Sequence, residues 1–366
     1  MNIESFRINI SAAELDDLHR RLERTRWPDE PDGVGWSYGV PLEHVRALTA
    51  RWLAGFDWRA QEADLNRHPQ FLTEIDGQRL HFAHVRSSRP DALPLVLIHG
   101  WPFADFRSVI DPLIEPAPQE GPAFHLVIPT LPGFGFSGPT RRPGQAATER
   151  SAKLIAELMA RLGYSRYLVH GGDAGAFIAP EIARTDPSQV AGVHLNGPIT
   201  IPGWEEDGSE FSERDRALLE QLKDWSGNDT SSYATIHSTR PQTLSYGLTD
   251  SPVGALAWIA DVINTFSREP IDADAVLTNV SVLWFTATIG SSLRLYREST
   301  QWTADRASSG VPTAVAIFPG DRTIRALAER QHHIVRWTEY DRGGHFAALE
   351  APDVLIKDLR EFAASL

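Results

Sequence analysis

The 366-residue sequence contains no cysteine. That absence removes a disulfide framework, a thiol nucleophile, Cys-ligated zinc and an iron–sulfur cluster together. Long apolar runs are missing too: no segment approaches the ~20 uncharged apolar residues of a membrane span, and the opening residues lack an apolar stretch of signal-peptide length. A soluble, cytoplasmic protein with no membrane partner is the expectation. Positive charge is scarce. Lysine occurs only at Lys153, Lys223 and Lys357, and 35 basic against 48 acidic residues leave a formal net charge of −13. Such a balance has no surplus to neutralise phosphates, so nucleic acid is disfavoured and a small-molecule substrate is expected.

What is present is the composition of a folded protein, 42% hydrophobic and 23% charged, long enough for two domains or one large α/β domain with an insertion. Ser11 and Glu14 have capping-box spacing, and Leu15, Leu18 and Leu22 repeat at helical intervals, which predicts a first helix stopped by Trp27-Pro28. A second helix is expected from Leu42 to Phe56, and residues 1–70 read as a meander packed on the rest. Asp76-Gly77, between two alternating runs, predicts a tight hairpin.

Buried strands then alternate with helical patterns: 93–98, 124–128, 166–170, 190–195 and 313–318. This predicts a largely parallel sheet with right-handed crossovers. The last two runs are separated by far more chain than a crossover needs. The expectation is a core of 71–198 and 303–366, interrupted by a helical cap at 199–302 above the carboxyl ends of the strands.

Three motifs carry chemistry. Gly171-Gly172-Asp173-Ala174-Gly175 follows a strand and precedes a helix, the pattern of a nucleophile elbow with aspartate as the nucleophile. The bland alternative is a glycine-rich loop whose aspartate caps the helix. A carboxylate attacks an activated sp³ carbon to give an alkyl ester, which water then cleaves at the aspartate's own carbonyl. That second step needs an oxyanion hole, and the amides of Trp101, in His99-Gly100-Trp101-Pro102, and of Ala174 are placed to form one. His99 itself reads as structural. In Gly343-Gly344-His345-Phe346, His345 stands where the general base falls third in chain order. Asp321, at the end of the strand 313–318, is the expected orienting acid, with Asp341 the local competitor. Asn196 occupies another position used for the acid, a role an amide cannot take. No metal motif and no dinucleotide fingerprint emerges, so no cofactor is expected.

With these residues in hand the chain resembles the microsomal-type epoxide hydrolases of the α/β-hydrolase superfamily over nearly its whole length, including Pro129 to Ser137 and the cap segment 238–259. The resemblance implies an α/β-hydrolase fold and conversion of an epoxide to a vicinal diol through an alkyl-aspartate ester, with a homodimer admissible. It also implies two cap tyrosines acting as the acid for ring opening, matched here by Tyr233 and Tyr296. Without the resemblance Tyr246 would be an equal candidate. Two departures stand out, Ala174 where members often carry a bulky residue and Asp321 where some use glutamate, and an amino-terminal anchor of the mammalian kind is not expected. The arginine bias suits a GC-rich bacterial genome, and with it detoxification or secondary metabolism. Competing readings are a dehalogenase with the same nucleophile, against which Ala174 counts, and a non-catalytic binding protein.

Overall fold

The computed structural model describes residues 2–102, 105–203, 206–225, 231–299 and 306–366. Nine strands form one mixed sheet: β1 (Ile3–Phe6), β2 (Gln70–Ile75), β3 (Gln78–Val85), β4 (Leu93–Ile98), β5 (Phe124–Pro129), β6 (Tyr167–Gly172), β7 (Val190–Asn196), β8 (Pro312–Ile317) and β9 (His333–Glu339). Their order is β1-β2-β3-β5-β4-β6-β7-β8-β9. The pairs from β1 to β5 are antiparallel, and every pair from β5 to β9 is parallel. The hairpin between β2 and β3 turns on Asp76 and Gly77, both at positive φ, as the dipeptide predicts.

The central strands are covered on both faces, which is why they read as continuous apolar runs rather than as alternations. Along β4, Val96 and Ile98 enter one core with Ile155 and Leu158 of the helix Thr148–Arg161 and with Ile178 and Ile182 of the helix Gly175–Thr185. Leu95 and Leu97 enter the opposite core, against Val109 and Leu113 of the helix Arg107–Ile114 and Leu355, Leu359 and Phe362 of the helix Pro352–Ala364. Such two-sided packing fixes the carboxyl ends of the strands, from which the candidate chemical groups project.

Every regular element described in the insertion between β7 and β8 is a helix, from Glu213–Trp225 to Arg294–Glu298. Its expected boundary with the core, at 302/303, lies outside the described residues. The apolar stretch after residue 272 is not one helix: Ala287, at φ 50°, breaks it between Ala273–Phe285 and Ile289–Ser292. Among the described residues no single helix is long and apolar enough to cross a membrane.

The amino-terminal region ties sheet to cap. Ser11 and Glu14 form the reciprocal capping box, but the helix ends at Glu23, before Trp27-Pro28. The second helix, Leu42–Ala54, sends Trp52 Nε1 to Ser281 Oγ (3.1 Å) and pairs Arg51 bidentately with Asp274 on the cap. β1 adds an antiparallel edge strand beside β2, so this region is not purely a helical meander.

Candidate active site

Asp173 sits in the turn between β6 and the helix Gly175–Thr185 with φ 53°, a left-handed conformation for a residue with a side chain. The strain lifts the carboxylate above the strand ends, and it persists because the backbone on either side is tightly packed. A Cβ at Gly171 would overlap the Gly175 carbonyl, and one at Gly100 would overlap the Asp173 carboxylate itself.

The Trp101 amide donates to Asp173 Oδ1 at 2.8 Å, and the Ala174 amide also donates to the carboxylate. Asp173 Oδ2 lies 3.3 Å from His345 Nε2, and both side chains are about one-fifth exposed, at 18 and 20%. Burial favours the neutral acid at Asp173, but the hydrogen bond and charge of His345 and the two amides outweigh it and hold the group below the ordinary carboxylate range. His345 answers in the opposite direction. Burial works against its cation, yet Asp173, Asp321 and Glu350 together raise its pKa.

Asp321 follows β8 and lies close enough to His345 for each charge to shift the other. Its Oδ2 accepts from the Phe318 amide at 2.8 Å, and burial pushes its pKa up to about 6. Asp341, the competitor, is exposed on the surface. A carboxylate that the sequence reading did not single out, Glu350, accepts the Phe346 amide at 2.8 Å and the amides of Arg268 and Glu269 from the cap. It thereby joins the His345 loop to the cap. His99 is structural, as expected: Leu131 donates its amide to Nε2 (3.0 Å), so Nδ1 carries the hydrogen and donates to the Gly100 carbonyl.

Tyr233 and Tyr296 converge from two cap helices with their hydroxyls 3.5 Å apart. Burial first, together with the Asp173 charge, raises the pKa of both, so both phenols remain protonated donors. Tyr246 is 73% exposed and takes no part. Trp101, whose peptide bond to Pro102 is cis, lies between the core and the tyrosines. Its ring stacks on Tyr233, meets Tyr296 edge-on and donates Nε1 to Ser292 Oγ at 3.0 Å.

His237 is a neighbour that the sequence reading passed over. It stands four residues after Tyr233 on the same helix, Ser232–Thr239, and four-residue spacing places the two on one face. Its ring is wedged edge-to-face against Trp101, Tyr233 and Tyr296, and its Nε2 accepts from Trp258 Nε1 at 2.9 Å. Burial lowers its pKa to about 3, so this wedge is neutral. Among the described residues no group of three or more His, Asp or Glu side chains could hold a metal ion.

A carboxylate on an elbow, a histidine beside it, two amides donating to the carboxylate and two protonated phenols converging from the cap describe a site for opening a strained ring. Residues 3–107 match the family described as "Epoxide hydrolase N terminus", and residues 95–358 match "Alpha/beta hydrolase family". A "Putative epoxide hydrolase" of Stigmatella aurantiaca is 38% identical across 98% of this chain and 84% of its own length. The chain belongs to the epoxide hydrolase family. "Epoxide hydrolase 1" of Sus scrofa is 31% identical over 100% of this chain and 89% of its own. The solved structure of the Aspergillus niger epoxide hydrolase superposes with a TM-score of 0.87 at 30% identity, covering 100% of this chain and 97% of the other. That of the juvenile hormone epoxide hydrolase of Bombyx mori gives 0.91 at 29%, covering 100% and 94%. The fold is the α/β-hydrolase fold, and the protein is a hydrolase acting on epoxides.

Proposed function

We propose that hydrolysis of the epoxide runs through a covalent alkyl ester on Asp173. The observation that carries this reading is the unequal treatment of the two carboxylate oxygens. Oδ1 is held by the Trp101 amide, with the Ala174 amide also donating to the carboxylate, while Oδ2 faces His345. Oδ2 is therefore the attacking oxygen, and Oδ1 becomes an ester carbonyl already seated in its oxyanion hole.

As Oδ2 attacks one epoxide carbon, the carbon–oxygen bond breaks and a phenol of the Tyr233–Tyr296 pair protonates the departing oxygen. An alkoxide is too basic to leave without that proton. In the second half, His345, oriented by Asp321, removes a proton from a water that attacks the carbonyl carbon. Negative charge collects on Oδ1 between the two amides; collapse of the intermediate expels the alkoxide, which takes the intermediate's hydroxyl proton to give the diol and the Asp173 carboxylate, and the proton held by His345 returns to the tyrosine phenolate.

Tyrosines facing the carboxylate favour this cycle over dehalogenation, where a halide leaves without a proton. The indole hydrogen of Trp101 is in addition engaged by Ser292 rather than free for a halide. Replacing His345 by Gln tests the cycle: the nucleophile remains, the base is gone, and mass spectrometry after mixing with styrene oxide should show an alkyl adduct on the peptide containing Asp173. An inactive variant that carries no adduct would contradict the reading.

A further inference from the structure

Behind the nucleophile lies a cavity of about 40 Å³ lined in part by His99, Asp105, His170, Asp173, Asn196 and His345. It is large enough for at least one water, since roughly 10–15 Å³ suffices by this measure. Its polar walls are mostly spoken for. Both oxygens of Asp105 accept from Arg107, and both nitrogens of His99 are bonded to backbone.

Two groups are not. Asn196, 4% exposed at the end of β7, donates Nδ2 to the His345 carbonyl at 3.2 Å, while its Oδ1 is buried without a partner. Exchanging the two amide atoms would set oxygen against oxygen, so the orientation follows from the chemistry. His170, 2% exposed on β6, is the second.

The state of His170 follows from a buried chain. Asp358 is bound by Arg336 through Nε and a terminal nitrogen (3.0 and 2.7 Å) and by the Tyr340 hydroxyl (2.7 Å), so it is an ionised acceptor; Arg336 also donates to the partly exposed Glu361 at 2.6 Å. His194 Nε2 lies 2.8 Å from Asp358 Oδ2 and donates to it. The other nitrogen of His194 is then an acceptor, and His170 Nδ1, 2.9 Å away, donates to it. His170 Nε2 is left as a lone pair. Two acceptors thus remain on the wall, and a buried acceptor without a donor costs about 1–3 kcal/mol.

We propose that this cavity is a built water site whose occupant positions the hydrolytic water. A water there donates one hydrogen to Asn196 Oδ1 and the other to His170 Nε2, so its oxygen is left as an acceptor. The hydrolytic water then gives one hydrogen to His345 and the other to this bound water, which turns its lone pair to the ester carbonyl. His170 and Asn196 act on the reaction only through that water and are positioning residues for the second half-reaction. The inference rests on the covalent cycle proposed above.

The test separates the half-reactions in rapid-quench single turnovers with styrene oxide. His170→Leu should form the alkyl enzyme at the wild-type rate but hydrolyse it more slowly, by about tenfold to a hundredfold for a misplaced nucleophile. His170→Gln, whose amide oxygen restores an acceptor, should recover most of that loss. Unchanged ester hydrolysis in His170→Leu, or equal slowing of both steps, would overturn the proposal. A crystal structure of the wild-type protein decides independently of any variant. A water within hydrogen-bond distance of both Asn196 Oδ1 and His170 Nε2 is expected, and its absence overturns the proposal. If the wild type forms no alkyl enzyme at all, the covalent cycle fails, and the crystallographic question still stands.

Discussion

Trp101 holds Asp173 by its backbone, through the 2.8 Å hydrogen bond to Oδ1, while its indole ring lies against both cap tyrosines. One residue thus spaces the nucleophile from the acid pair. The ring is fixed in turn by Ser292, so the distance across which an epoxide must fit is set by packed groups from both core and cap.

If the phenols deliver the proton, Tyr233→Phe and Tyr296→Phe should each slow formation of the alkyl enzyme, by ~10²–10⁴-fold where general-acid assistance is lost. Hydrolysis of an ester already formed should be unaffected. Burst-phase measurement of alkylation checks this, with circular dichroism confirming that each variant is folded.

His345 should change its pKa during the cycle. In the free enzyme the Asp173 carboxylate is a main cause of its raised value, opposing burial. Esterification removes that charge and leaves burial less opposed, so the pKa falls and the imidazole becomes a neutral base. NMR titration of His345 in the free enzyme should therefore give a higher pKa than the acid limb of single-turnover ester hydrolysis. Equal values would contradict the coupling.

Asp321 should trade stability for function. Its folded pKa, about 6, lies above the ordinary 3.8, so the fold favours the neutral acid. That contribution is complete below about pH 3.8, declines as the pH rises through 6 and is absent above it. Asp321→Asn keeps an acceptor for the Phe318 amide but carries no charge. It should be more stable than the wild type at pH 8, by about 2–3 kcal/mol on this single-group linkage. The gap should close near pH 4, while ester hydrolysis slows because His345 has lost its orienting charge. Urea unfolding at the two pH values measures the difference.

The parts of this protein legible in its sequence are those written in consecutive residues. The elbow around Asp173, the Asp76-Gly77 hairpin and the two-sided strands each leave a local pattern, because turn geometry and double burial constrain neighbours. β1 and β9 left none: β1 is four residues long, and β9, His333–Glu339, mixes polar and apolar residues without strict alternation on a partly exposed edge. The choice between Asp321 and Asp341 depended on burial, which short spacing does not encode. Glu350 and the Arg51–Asp274 clamp join residues far apart in the chain, and such pairs have no local trace. His237 was within reach of sequence reasoning, since it lies one helical turn from Tyr233, but the signal existed only once that helix and that tyrosine had been assigned.

Whether water attacks the Asp173 ester or the epoxide itself is decided by one turnover in ¹⁸O water. With enzyme in excess over styrene oxide, the label should enter the Asp173 carboxylate, while the diol takes its new oxygen from the former Oδ2. Mass spectrometry of the Asp173 peptide and of the diol reads both. Label found wholly in the first-turnover diol, with none in Asp173, would mean that water opened the ring and that Asp173 served only as a base.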